Sequence, residues 1–205
     1  MSYDLDRREE RWTHRLPGAF AVVVVTLVLL WGLEIVDTAL GGRLDGYGIR
    51  PRTVSGLEGI PFAPFLHAGF GHLFSNSVMF AVLGVIAYAA VTLGRFLGVV
   101  VLTALSSGLG AWLIGEPNTL VIGASGVIFG LLGFLLFRGL AERSPGTITV
   151  SIMMLLVYGG TISGILPGAP FVSWQGHLFG FLGGAGAAFL LRSPRPRGSR
   201  RPNWR

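Results

Sequence analysis

The sequence has no cysteine and no lysine, and charges of either sign are scarce. Without cysteine there can be no disulfide, no thiolate nucleophile and no cysteine metal site. Charged residues make up 13% of the chain, against about 25% in an ordinary soluble domain. All 16 basic residues are arginine, and they leave a net charge of +6. What is abundant is apolar surface and glycine: mean hydropathy is +0.65 and there are 32 glycines. Frequent glycine suits helices that pack closely in a bilayer. A length of 205 residues fits one domain, here with lipid as its solvent.

Six apolar stretches read as membrane-spanning helices, near residues 17–40, 71–93, 96–114, 121–138, 148–166 and 171–191. Each is close to the roughly 20 residues that cross the hydrocarbon core. An open sheet would leave unpaired backbone groups in lipid, so the expected fold is an all-α membrane protein. The fourth stretch is short and is expected to begin below the membrane surface. The connections are short except 41–70, which is long enough to hold structure lying on the membrane. The expected organisation is an N-terminal tail, 1–16, a six-helix domain, 17–191, and a basic tail, 192–205. That last segment is rich in proline and arginine and reads as disordered. The first stretch reads as a retained helix, since it lacks a clear small-residue cleavage site.

Arginine placement predicts orientation. Arg7, Arg8, Arg11, Arg15, Arg95, Arg138, Arg143 and six more in the C-terminal tail fall on one side, thirteen in all. Arg43, Arg50 and Arg52 fall on the other. The positive-inside rule then puts both termini in the cytoplasm. The basic balance is read as a topology signal and a hold on anionic lipid heads, with nucleic acid not expected as a partner.

Against this apolar background a few polar groups stand out: His72 and Asn76, Ser125 within Gly123-Ala124-Ser125-Gly126, and His177. Such groups are costly in lipid and mark function more often than not. With the N-terminus inside, the second, fourth and sixth stretches run from outside to inside. All four residues then sit at similar depth in the outer half of the bilayer. His72 and Asn76, spaced i, i+4, share a helix face. Gly126, Gly130 and Gly133, and likewise His177, Gly180 and Gly184, form ridges on which two helices can approach. Packing the fourth stretch on the sixth brings Ser125 within reach of His177. A serine needs a base to become a nucleophile, and histidine has a suitable pKa. The only carboxylates in the apolar segments are Glu34 and Asp37, so a Ser–His dyad is expected. Asn76, His72 and the Ser125 backbone N–H are candidate donors to an oxyanion.

In this combination and order, Gly123-Ala124-Ser125-Gly126, His72-x-x-x-Asn76 and His177-x-x-Gly180-x-x-x-Gly184 resemble the rhomboid family of intramembrane serine proteases. The resemblance covers about residues 60–191. It implies a six-transmembrane-helix bundle with Ser125 as nucleophile, His177 as general base and His72 and Asn76 in the oxyanion hole. His67 also matches a histidine often seen in that family. The implied activity is cleavage of transmembrane segments at helix-destabilised sites, with no metal or other cofactor. Implied partners are single-span or other membrane proteins, and the implied location is a multi-pass protein of a bacterial plasma membrane. Two departures stand out. Many members carry Trp-Arg in the first long loop, where this chain reads Gly56-Leu57-Glu58-Gly59-Ile60-Pro61. A tyrosine often follows the serine by four residues to stack on the histidine, and here that position is Phe129.

Other readings compete residue by residue. Ser125 alone could be a packing serine, and Asn76 alone an interhelical hydrogen bond. Trp12, Trp31, Trp112 and Trp174 read as interfacial anchors. A catalytically inactive rhomboid-like protein that binds transmembrane clients is the alternative from another class. A zinc site built from His67, His72 and His177 is a further rival, although His67 and His72 are five apart and would not share a helix face. A transporter fits poorly, since intramembrane charges are few.

Overall fold

The computed structural model describes residues 2–168 and 172–192, with side chains from His14 onward. The expected disorder of 193–205 and the side chain of Trp12 lie outside the described residues. Within them the protein is helical: α1 (Ser2–Ala39), the short α2 (Val54–Glu58), α3 (Phe70–Ala90), α4 (Leu93–Ile114), α5 (Ser125–Glu142), α6 (Pro145–Tyr158) and α7 (Trp174–Leu190). A seven-residue 3₁₀ segment, Gly159–Ile165, extends α6. Among the described residues five segments are long and apolar enough to cross a membrane: His14–Ala39, Phe70–Ala90, Leu93–Ile114, Ser125–Glu142 and Pro145–Ile165. α7 is shorter, at 17 residues.

The boundaries differ from the sequence reading where caps decide them. Apolarity begins at Val121, but α5 begins at Ser125. Val121 is instead extended and pairs with Ile49 of the long loop, each donating its N–H to the other's carbonyl, at 2.9 and 3.0 Å. The helix of the fourth stretch thus starts four residues later than its apolarity suggests. α6 starts three residues earlier than expected because Ser144 and Thr147 form a reciprocal capping box ahead of Pro145, a strong helix-start signal. α7 starts at Trp174, where the Ser173 hydroxyl accepts the Gly176 N–H at 3.3 Å.

α5 is the axis of the molecule. In its membrane-spanning window 72% of residues are buried, against 6% for Pro145–Ile165. A helix apolar on every face belongs inside a bundle, and α5 packs against α3, α4, α6 and α7. The contact with α7 is the closest. A Cβ added at Gly180 would strike the Gly126 carbonyl, and one at Gly184 the Gly130 carbonyl. Only glycine lets the two backbones meet in this way. Ser106 ties α4 to the same helix by donating to the Phe179 carbonyl at 2.6 Å.

α1 lies against α3. Trp31 stacks on Phe70 at 5.9 Å and donates its indole N–H to Ser77 at 3.1 Å, so it joins two helices. Glu34 and Asp37, expected near the outer interface, are buried, at 4% and 5% exposure. Asp37 accepts the Leu44 N–H at 2.6 Å and so fastens the start of the loop. The loop itself is structured, with 3₁₀ turns at Asp45–Tyr47 and Ala63–Phe65. Ile49, Ile60 and Ala63 form a small core beneath it with Trp112 and Val121. Trp112 is also a tie, donating to the Thr53 carbonyl at 2.7 Å.

Candidate active site

The first turn of α5 carries Ser125 into a cavity of about 680 Å³ that His72, Asn76 and His177 also line. His177 Nε2 stands 2.8 Å from Ser125 Oγ, and its Nδ1 stands 3.0 Å from the Gly164 carbonyl oxygen. The α5–α7 glycine crossing sets this approach, since Gly126 directly follows Ser125 and meets Gly180, which lies three residues after His177. The Phe129 ring lies parallel to the imidazole at 4.1 Å and 11°. The ring stacking is thus preserved without a hydroxyl.

The remaining polar groups enter from the other side. Ala68 donates its N–H to His72 Nδ1 at 3.4 Å, so in the neutral ring the proton sits on Nε2. A Cβ built on Gly123 would lie 2.9 Å from His72 Nε2 and 3.5 Å from Asn76 Nδ2. Two side-chain donors therefore converge beside the residue two positions before Ser125. Gly123 has φ +122°, a conformation that L side chains rarely adopt. Asn76 is 6% exposed and its Nδ2 has no partner among the described residues. A buried amide donor left unpaired is costly and calls for an explanation. The N–H of Ser125, in the first turn of a helix, is likewise free of an intrahelical acceptor. Three donors thus border one cavity in which an oxygen could bear negative charge.

His67 is not in the cavity wall. It is 1% exposed, its Nε2 accepts the Ala124 N–H at 3.4 Å, and its ring meets that of His72 edge-on at 5.2 Å. Ala63 accepts the preceding amide, that of Gly123, at 2.8 Å. The long loop therefore grips the two residues before Ser125 by successive amides. Burial, and then the neighbouring His72, hold the His67 pKa down to about 4. Among the described residues no three His, Asp or Glu side chains are grouped to hold a metal ion, and His67 Nε2 is already committed to Ala124.

Sequence reasoning missed Gly164. Its contribution is a main-chain carbonyl, and the nearest signal was the run Gly159-Gly160-Thr161-Ile162-Ser163-Gly164, whose breakers predict an irregular helix end.

Comparison with known proteins bears on the family of the chain. The rhomboid domain profile matches residues 57–194. An uncharacterised protein of Mycobacterium tuberculosis is 42% identical over 180 residues, spanning 84% of this chain and 75% of that one. A second uncharacterised protein, from Mycobacterium leprae, is 39% identical over 180 residues, 84% of this chain and 71% of its own. The rhomboid protease GluP of Bacillus subtilis is 31% identical over 137 residues, 63% of this chain and 25% of that protein. With a domain match across two thirds of its length and the apolar spans described above, the chain belongs to the rhomboid family of intramembrane proteases.

Proposed function

We propose that this protein is an intramembrane serine endopeptidase that cuts transmembrane segments of single-span or other membrane proteins, using Ser125 as nucleophile and His177 as general base. The observation that carries the reading is the 2.8 Å contact between His177 Nε2 and Ser125 Oγ inside a cavity that His72 and Asn76 also line. The residues 17–191 form six spans with both termini in the cytoplasm, flanked by tails 1–16 and 192–205. In that orientation the dyad lies in the outer half of the bilayer, and the 13-to-3 division of arginines supports it.

The chemistry runs in two halves. Ser125 Oγ attacks the scissile carbonyl carbon while its proton passes to His177 Nε2. The carbonyl oxygen takes the negative charge, and His72 Nε2–H, Asn76 Nδ2–H and the Ser125 N–H donate to it. The C–N bond then breaks, and the leaving amine takes the proton from His177. A water molecule, deprotonated by His177, attacks the acyl-enzyme ester. The tetrahedral intermediate collapses, releasing the new carboxylate and returning the proton to Ser125. The dyad supplies proton transfer, the donors supply charge stabilisation, and the cavity admits the water. An inactive, client-binding protein of the same fold would not need the two reacting atoms in hydrogen-bond contact.

The test is incubation of the purified protein in vesicles with a panel of single-span substrates. Wild type is expected to cut at least one, and Ser125→Ala and His177→Ala none, with melting temperatures of the variants near wild type. Cleavage by Ser125→Ala at the wild-type rate would overturn the assignment.

A further inference from the structure

The Gly164 carbonyl is the acceptor that stands against His177 Nδ1, at 3.0 Å. A carbonyl oxygen can only accept, so Nδ1 carries the proton and donates it. A neutral imidazole has one N–H, so Nε2 is left unprotonated, facing Ser125 Oγ at 2.8 Å. In a triad a carboxylate fixes the tautomer of the base, but here that role falls to a peptide carbonyl.

We propose that Gly164 is the positioning residue of the active site: its carbonyl, at the end of the Gly159–Ile165 turn, selects the His177 tautomer that can take the Ser125 proton. The inference rests on the dyad proposed above. Three features of the turn fit it for this role. First, the backbone lies flush on the aromatic stack: a Cβ at residue 164 would sit 2.7 Å from Phe129 Cζ and 3.6 Å from His177 Nδ1. Glycine is thus the residue that lets the carbonyl reach the ring. Second, the turn is seated on the core by Ile162 and Ile165 and closed by the Leu166 N–H donating to the Ser163 carbonyl at 3.0 Å. The carbonyl is therefore aimed rather than free to rotate. Third, the turn belongs to the least buried of the five candidate spans, in whose helical part only Thr147 and Met154 are buried.

The carbonyl can be weakened without changing a side chain. Replacing Ile165 by its α-hydroxy acid turns the Gly164–Ile165 amide into an ester, whose carbonyl is a poorer acceptor. The same exchange at Ile162 weakens the Thr161 carbonyl instead. Each removes one main-chain N–H from the same turn, so the second is the control for structural damage. The measurements are kcat and KM in vesicles, melting temperature, and ¹⁵N chemical shifts of the histidine rings, with His177 assigned by its loss in His177→Gln. Wild type is expected to show protonated Nδ1 and bare Nε2. The ester at 165 is expected to mix the tautomers and lower kcat by about tenfold or more, with KM little changed and melting equal to the 162 control. A wild-type ring protonated on Nε2, or equal kcat for the two esters, overturns the inference. Ser125→Ala is assayed alongside. If it is inactive while the esters match, only the role of Gly164 fails. If it remains active, the dyad itself fails.

Discussion

The rings of Phe129 and His177 are stacked 4.1 Å apart and within 11° of parallel. One turn of α5 therefore supplies both the proposed nucleophile and the wall that keeps the imidazole upright. Such an aromatic pair is worth about 0.5–1.5 kcal/mol beyond its buried area. Phe129→Leu is expected to lower kcat by roughly 2- to 10-fold through loss of that orientation. Phe129→Tyr, which keeps the ring, is expected to stay near wild type. Steady-state cleavage of a single-span substrate checks both, and equal activity of Leu and Phe at this position would remove the orienting role.

Asn76 allows a cleaner test of charge stabilisation. Its Nδ2 is buried without a partner among the described residues, so loss of that donor breaks no hydrogen bond among them. Asn76→Ala is expected to leave the melting temperature within a few degrees of wild type. Turnover is expected to fall by roughly 10²–10³ if Asn76 dominates, and by less if His72 and the Ser125 N–H share the charge. KM is expected to move little, because the ground-state carbonyl needs the donor less than the transition state. A large melting drop with a matching loss of folded protein would make Asn76 a packing residue.

The glycines separate contact from composition. A Cβ at Gly184 would strike the Gly130 carbonyl, whereas nothing lies within 4 Å of one at Gly186. Overpacking a tight contact costs about 1–3 kcal/mol. Gly184→Ala is expected to lower the melting temperature by several degrees and to reduce cleavage by moving α7 off α5. Gly186→Ala is expected to match or slightly exceed wild type, since alanine favours helix. Equal melting of the two variants would deny that the crossing is the closest contact of the bundle.

Much of this site was visible in the chain before any coordinates. Ser125, His177, His72 and Asn76 are polar residues in apolar stretches, and lipid makes such residues conspicuous. The glycine spacing on the fourth and sixth stretches also foretold which helices meet. What stayed hidden was main-chain chemistry. Nothing in the letters marks the Gly164 carbonyl as the partner of His177, or the Ala124 amide as the donor to His67, because every residue carries these groups. The start of α5 was misjudged for a related reason. Val121 is apolar enough to continue a helix, but its backbone is claimed by Ile49, 72 residues earlier. The burial of Glu34 and Asp37 was not legible either, because it depends on packing that brings residues such as Leu44 back onto them.

Two titratable groups of the loop, His67 buried and Asp45 partly buried, give opposite responses to acid, and this yields a signed prediction. His67 has its pKa held down to about 4 by burial and by His72. Asp45 has its pKa pushed up to about 6 by burial and by the carboxylates of Asp37 and Glu34. For His67 the unfolded chain takes up a proton from about pH 6.5 downward, while the folded protein refuses it until about 4. Its contribution to stability is complete above pH 6.5 and is lost as the pH falls towards 4. For Asp45 the folded protein holds a proton that the unfolded chain has released above about 3.8. Its contribution is complete below pH 3.8 and is lost as the pH rises through 6. His67→Gln keeps an acceptor for the Ala124 N–H and removes the titration. Relative to wild type, its melting temperature is expected to gain progressively between pH 6.5 and 4. Asp45→Asn is expected to melt above wild type at pH 7–8, with the gain shrinking below pH 6 and gone near 4. Melting curves across pH 4–8 in detergent test both. Parallel profiles for either variant and wild type would show that the residue does not titrate as its surroundings require.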